Sequence, residues 1–110
     1  MNKVTPRALS FPRYEDDGGN TGRKMGKEAV YSGRVQGVGF RQSICSLVSG
    51  SKLRGYVQNL DNGKVRLVVE GDGVDHLLQK IANLWSSHIA DIQITDVNTS
   101  GMFSNFNIRY

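Results

Sequence analysis

Residues 56–69 read YVQNLDNGKVRLVV and contain the clearest structural signal in the sequence. Two runs with strand character, 56–60 and 65–69, flank the turn sequence Asp61-Asn62-Gly63. An Asn-Gly pair between two such runs is among the strongest short-range hairpin signals, because both central residues of the favoured turn need a positive φ. The stretch therefore predicts two consecutive antiparallel strands.

Apolar residues with a helical period stand on both sides of this hairpin. Upstream of it, a set spaced i, i+4, i+7 and i+8 predicts a helix that ends at Gly50: Phe40, Ile44, Leu47 and Val48. Downstream of it, a second set predicts another amphipathic helix: Val74, Leu77, Leu78, Ile81, Leu84 and Trp85. Each helix is expected to bury one face, and Trp85 is expected in the core.

Three further segments have strand patterns. They predict a first strand around Ala29, Val30, Tyr31 and Val35, a fourth at Ile92, Ile94 and Val97, and a closing strand with alternating Phe106, Ile108 and Tyr110. The order is therefore βαββαβ, with the last β element in one or two pieces. This order predicts an α+β, ferredoxin-like two-layer sandwich, an antiparallel sheet of four or five strands with two helices on one face.

Length and composition exclude several classes of protein. A chain of 110 residues is enough for one domain. The single cysteine, Cys45, excludes a disulfide framework and a cysteine-rich metal site. No apolar run approaches the ~20 residues of a membrane-spanning helix. We therefore expect no membrane association.

The positive charge is concentrated at the start of the chain. Residues 1–27 carry six Lys or Arg against three acidic residues, whereas residues 28–110 carry eight against seven, within a net charge of +4. A basic balance in a tail is weak evidence for a nucleic-acid-binding face, so no nucleic-acid partner is expected. Residues 1–25 also lack apolar periodicity, which predicts a disordered or loosely attached leader before a domain at 26–110.

Residues 33–41 read GRVQGVGFR and join the first strand to the first helix. Glycines in such a loop let successive backbone N–H groups point into one concavity, which binds an anion at the positive end of the following helix. Arg41 lies in the first turn of that helix, and its planar guanidinium suits two phosphate oxygens. The loop fits neither a Walker sequence nor the dinucleotide fingerprint. On composition alone, a tight structural turn remains the alternative.

The same loop resembles the acylphosphatase signature, Gly-x-Val-Gln-Gly-Val-x-Phe-Arg. A second block, Leu53-Arg54-Gly55-Tyr56-Val57-Gln58-Asn59 before Asp61-Asn62-Gly63, and the ending Phe106-Asn107-Ile108-Arg109-Tyr110 are also similar to that family. The resemblance covers residues 26–110. It implies hydrolysis of the carboxyl-phosphate bond of acyl phosphates to a carboxylate and orthophosphate.

The resemblance also implies roles for particular residues. Arg41 and Asn59 are the implied catalytic residues: Arg41 binds the phosphoryl group and Asn59 orients the attacking water. The implied phosphate-binding set is Val35, Gln36, Gly37, Val38, Gly39, Phe40 and Arg41. No metal or other cofactor is implied. The expected partners are a small-molecule acyl phosphate and its inorganic phosphate product, and the expected protein is a cytoplasmic monomer.

Two alternatives to hydrolysis remain open at this point. One is a non-catalytic acylphosphatase-like module that binds phosphate or carbamoyl phosphate. The other is an RNA-binding sheet on which Tyr56 stacks on a base. Without the resemblance, Asn59 is more simply explained as a residue that ends a strand or forms an Asx turn. His76, His88 and Cys45 are interpreted as surface, loop and packing residues respectively.

Overall fold

The computed structural model describes residues 25–99 and 101–110. In chain order the elements are β1 (Met25–Gly33), α1 (Phe40–Val48), β2 (Arg54–Asn59), β3 (Val65–Glu70), α2 (Val74–Leu84), β4 (Ile89–Asn98) and β5 (Phe106–Arg109). The predicted leader, 1–25, lies outside the described residues except for Met25, where β1 begins. Its disorder, and the domain division at residue 26, therefore stay predictions.

The five strands form one sheet in the order β4-β1-β3-β2-β5. β2 and β3 pair antiparallel from Arg54 with Glu70 to Asn59 with Val65, so the predicted hairpin is confirmed. β1 lies between β3 and β4 and is antiparallel to both. With the two helices, this arrangement confirms the predicted α+β ferredoxin-like sandwich.

One face of the sheet and both helices share a single core. Buried residues alternate along the strands and recur with helical spacing: Ala29, Tyr31, Val57, Val65, Leu67, Val69, Phe40, Ile44, Val48, Leu77, Leu78 and Ile81. Trp85 is half-buried and packs against this cluster, whereas Leu84 is exposed. Because both helices belong to the same cluster as one sheet face, they lie on the same side of the sheet.

The first strand differs in extent from the prediction. β1 begins at Met25 and ends at Gly33, where its pairing with β4 is irregular and the backbone has a φ of 119°. Val35 therefore lies in the loop after the strand, although its side chain is buried.

The last strand is parallel to its neighbour, so the sheet is mixed and not wholly antiparallel. β5 pairs with β2 from Gly55 with Phe106 to Gln58 with Arg109. β4 and β5 are opposite edges of the sheet. Phe103, between these two strands in the chain, packs edge-on against Tyr56 on the face without helices, with ring centroids 5.8 Å apart.

Within residues 25–99 and 101–110, no helix has the length and apolar character needed to span a bilayer.

Candidate active site

The loop between β1 and α1 is an exposed arch held at both ends by buried side chains. Val35 and Phe40 are each 1% exposed, whereas Gly37, Val38 and Gly39 are exposed. Gly37 and Gly39 have φ values of 73° and 89°, and a Cβ at either position would meet no atom within 4 Å. Glycine is therefore favoured here by the sign of φ and not by lack of space.

The helix α1 begins without a side-chain cap. Its N-cap is Gly39 in the left-handed region, no side chain accepts a hydrogen bond there, and the first turn contains no acidic residue. The first N–H groups of a helix have no partners inside the helix, and the macrodipole makes this end positive. The start of α1 can therefore stabilise an anion.

Arg41 adds a full positive charge to the same place. Its side chain is half-buried and forms no ion pair within the described part of the chain. A cation in the first turn opposes the helix dipole. The uncapped helix end and Arg41 are thus two unneutralised positive groups next to each other.

These groups border a surface cavity of about 220 Å³. Its lining is Val35, Gly37, Gly39, Phe40, Arg41, Gln42, Ile108 and Tyr110. Five of these belong to the predicted site, whereas the predicted residues Gln36, Val38 and Asn59 do not line the cavity. The sequence motifs did not indicate Gln42, Ile108 and Tyr110 as lining residues. The alternation of the closing strand places Ile108 and Tyr110 on one face and could have identified them.

Gln36 points away from the cavity and contacts the hairpin turn. Its Nε2 donates to the carbonyl oxygens of Leu60, at 2.8 Å, and Lys64, at 3.0 Å. Both N–H groups of the Gln36 amide therefore donate hydrogen bonds to the turn that follows Asn59.

Asn59 is the last residue of β2 and lies beside that turn. Asn59 is on the same face of β2 as the core residue Val57. This is the face against which the helices pack. The Asn59 Oδ1 is buried and has no hydrogen-bond partner among the residues that are described. The Asx-type hydrogen bond of the turn is made by Asn62 instead, whose Oδ1 accepts from Lys64 N at 3.1 Å. The Asx-turn explanation therefore applies to Asn62, whereas Asn59 ends its strand, as the other local explanation expected.

An aromatic cluster packs around Phe40 at the start of α1. The Phe40 ring contacts Tyr31 and Trp85 edge-on, with centroids 5.0 and 5.1 Å away. Trp85 Nε1 donates to Ser43 Oγ at 2.9 Å, which ties α1 to the end of α2. Burial raises the pKa of Tyr31 far above its ordinary value, so this phenol stays neutral. These contacts fix the position of the start of α1 relative to β1 and the end of α2.

The remaining candidate residues stand apart from the cavity. His76 is exposed on α2, and the His88 ring packs against Trp85 at 4.8 Å. Cys45 is half-buried and packs against the core, as predicted. In the part of the chain that the structure covers, no group of three or more His, Cys, Asp or Glu side chains could hold a metal ion.

A larger cavity, of about 610 Å³, lies at the other end of α1. Two cations line it: Arg54 donates from Nε to the Glu70 carboxylate at 3.0 Å and is therefore already neutralised, and the other cation is Lys52. A helix C-terminus is also the negative end of the dipole. This cavity is less suited to an anion than the smaller one.

The chain resembles known proteins over the same region. The family model described as Acylphosphatase matches residues 27–108. The acylphosphatase of Methanocella arvoryzae is 34% identical over 87 residues, which cover 74% of this chain and 96% of that protein. The crystal structure of acylphosphatase from Bacillus subtilis aligns with a TM-score of 0.64 at 30% identity and covers 78% of this chain and 99% of that one.

A second kind of structure contains the same fold within a longer chain. The crystal structure of T. kodakarensis HypF aligns with a TM-score of 0.61 at 28% identity, covering 76% of this chain but 12% of that one. The stand-alone acylphosphatases match almost end to end, and the family model spans most of the chain. The chain therefore belongs to the acylphosphatase family of hydrolases.

Proposed function

We propose that this acylphosphatase holds the phosphoryl group of an acyl phosphate with Arg41 and the backbone N–H groups of residues 35–40, and that Asn59 orients the attacking water. The observation that supports this most directly is the pairing of Arg41 with an uncapped helix N-terminus at one cavity. Two adjacent positive groups that pair with no acidic side chain of the described residues favour a bound anion of tetrahedral shape.

The reaction needs positioning more than acid catalysis. Water attacks phosphorus, the bond between phosphorus and the acyl oxygen breaks, and a carboxylate leaves with that electron pair. A carboxylate is a weak base and needs no proton to depart, so the lack of a catalytic histidine at the cavity is consistent with the chemistry. What remains is to stabilise the charge that spreads over the phosphoryl oxygens and to place the water in line.

Asn59 suits the second task because a carboxamide accepts and donates at the same time. Its buried Oδ1 has no partner among the described residues, and a buried acceptor without a hydrogen bond costs about 1–3 kcal/mol. We infer that this oxygen accepts from the attacking water once substrate is bound. Asn59 does not line the cavity. We therefore expect the water to lie between the Asn59 carboxamide and the phosphoryl group in the cavity.

The test measures hydrolysis of an aryl acyl phosphate such as benzoyl phosphate by the wild type, Arg41→Ala and Asn59→Ala. We expect Arg41→Ala to lose about 10²-fold in kcat/KM and to bind inorganic phosphate more weakly. Asn59→Ala should lose about 10²-fold or more in kcat. Its inhibition by inorganic phosphate should change little, because the loop and Arg41 are intact.

Matched controls separate these effects from unfolding. Arg66→Ala removes an arginine that pairs with Glu28, and Asn83→Ala removes an exposed asparagine on α2; both should keep the wild-type rate. Equal rates in Arg41→Ala, Asn59→Ala and the wild type would refute the site. A wild type that binds phosphate but hydrolyses nothing would favour the binding module instead.

A further inference from the structure

The Gln36 side chain connects the two segments that carry the proposed site. It starts in the loop before α1 and ends on the carbonyl oxygens of Leu60 and Lys64 in the β2–β3 turn. Asn59 immediately precedes the first of these acceptors. Among residues 25–99 and 101–110, no other hydrogen bond joins this loop to this turn.

The turn does not need Gln36 for its own closure. Leu60 N donates to Lys64 O at 2.8 Å, and Gly63 N donates to Leu60 O at 3.2 Å. A carbonyl oxygen has a second lone pair, and Gln36 uses the remaining one on each acceptor. The side chain therefore links two segments that are each already formed.

We propose that Gln36 is a positioning residue: its amide fixes the distance between the loop that holds the phosphoryl group and the strand end that carries Asn59. This inference rests on the function proposed above. The expected effect is on kcat, because a displacement of about 1 Å between reacting groups can cost about 10²-fold in rate. Phosphate binding depends on the loop and Arg41, and it should be largely retained.

Neutral charge and two donors are the properties that the position requires. A glutamate would present a carboxylate without a hydrogen to two carbonyl oxygens. When protonated, the same side chain could donate one hydrogen bond. A Gln36→Glu variant should therefore regain activity relative to the wild type as the pH falls towards the ordinary glutamate pKa of about 4.3. A methionine has a similar shape but no donor at any pH.

The experiment compares the wild type, Gln36→Met, Gln36→Glu and the control Gln79→Met, which alters an exposed glutamine on α2. Benzoyl phosphate hydrolysis is measured between pH 7 and about pH 4.5, with the uncatalysed rate subtracted. We expect Gln36→Met to lose about 10- to 100-fold in kcat. Its inhibition constant for inorganic phosphate and its unfolding midpoint in urea should stay close to those of Gln79→Met. The ratio of Gln36→Glu to wild-type activity should rise as the pH falls, whereas that of Gln36→Met should stay flat.

A double-mutant cycle tests whether Gln36 acts through Asn59. In an Asn59→Ala background, Gln36→Met should lower kcat by less than about twofold, because the positioned group is gone. Wild-type kcat in Gln36→Met, a phosphate inhibition constant that rises in step with the loss of kcat, or an equal loss in the Asn59→Ala background would each overturn the inference. Failure of the proposed function is seen separately, as wild-type kcat in Asn59→Ala itself.

Discussion

The guanidinium carbon of Arg41 lies 5.1 Å from the centroid of the Tyr110 ring. Arg41 belongs to the first turn of α1, and Tyr110 directly follows β5, which parallel pairing with β2 brings to this end of the sheet. Tyr110 is 93% exposed and lines the same cavity as Arg41. We therefore expect its ring to orient the arginine by a cation–π contact.

Replacing Tyr110 should weaken substrate capture in proportion to this contact. An exposed cation–π pair contributes about 0.5–1 kcal/mol, which corresponds to a loss of about two- to fivefold in kcat/KM for Tyr110→Ala. Tyr110→Phe keeps the ring and should keep the wild-type value. Steady-state hydrolysis of benzoyl phosphate by the three proteins measures the effect. An unchanged Tyr110→Ala would show that the ring does not orient Arg41.

Cys45 should react slowly with thiol reagents in the folded protein. Burial raises the pKa of its thiol, and the charge of Arg41 only partly opposes this effect. A raised pKa leaves less thiolate at neutral pH, and the thiolate is the reacting form. Reaction with an aromatic disulfide reagent at pH 7.5 should therefore be slower than in urea-unfolded chain and should accelerate as the pH rises. Because this is the one cysteine of the sequence, the signal is unambiguous. Faster reaction in the folded state would contradict the prediction.

Much of the fold could be predicted because its patterns are local. The Asn-Gly turn and the two helical stripes are contained in windows of under 20 residues, and each element they predicted is present. The direction of β5 could not be predicted this way. It depends on where the segment between β4 and β5 leads the chain, and the sequence of that segment has no periodic pattern.

The site was predictable only in part, for a related reason. Arg41 and the glycine loop are contiguous, so one motif contains both. Gln36 bonds to carbonyl oxygens 24 and 28 positions away, and every residue carries such an acceptor, so the sequence cannot indicate the partner. Asn59 and Asn62 are both next to the same turn, and only the folded structure shows that Asn62 makes the Asx-type hydrogen bond.

Gly55, near the start of β2, should be irreplaceable. Its φ is 143°, and a Cβ there would lie 1.9 Å from the Val68 carbonyl oxygen on the neighbouring strand. We expect Gly55→Ala to lower the free energy of unfolding by about 3 kcal/mol or more, because the backbones of β2 and β3 must separate. Gly63→Ala is the control, since Gly63 has a φ of 88° but open space around it, and it should cost about 1 kcal/mol. Urea unfolding measures both, and equal costs would refute the steric argument.

Tyr56 should not bind RNA bases. The Arg109 guanidinium carbon lies 3.7 Å from the centroid of its ring, and Phe103 packs against it edge-on. Stacking on a base would require displacement of the arginine. In fluorescence anisotropy with labelled single-stranded RNA at low salt, any weak binding by the full chain should be the same in Tyr56→Ala. Salt-sensitive binding that disappears in Tyr56→Ala would support the RNA-binding alternative.

Glu70 is a fully buried carboxylate on the sheet face opposite the helices. Thr99 Oγ donates to one of its oxygens, and Arg54 Nε donates to the other. Desolvation by burial favours the neutral acid, but the hydrogen bonds from Thr99 and Arg54 outweigh it, so the pKa of Glu70 is lowered. In its charged form this carboxylate therefore links Thr99, at the start of the connection that follows β4, to β3 and, through Arg54, to β2.

Because the folded-state pKa of Glu70 is lowered, its contribution to stability is present above the pKa of the unfolded chain and is lost as the pH falls through the folded-state value. Glu70→Gln should lower the free energy of unfolding by about 1–3 kcal/mol at pH 7. The difference from the wild type should shrink as the pH falls below about 4.5. Glu28→Gln removes a half-buried carboxylate paired with Arg66 on the same face; it should cost no more than about 1 kcal/mol. Urea titrations of the three proteins at pH 7 and at acid pH measure these differences. A cost for Glu70→Gln that stayed constant or grew at acid pH would show that the charged form of Glu70 does not hold the connection.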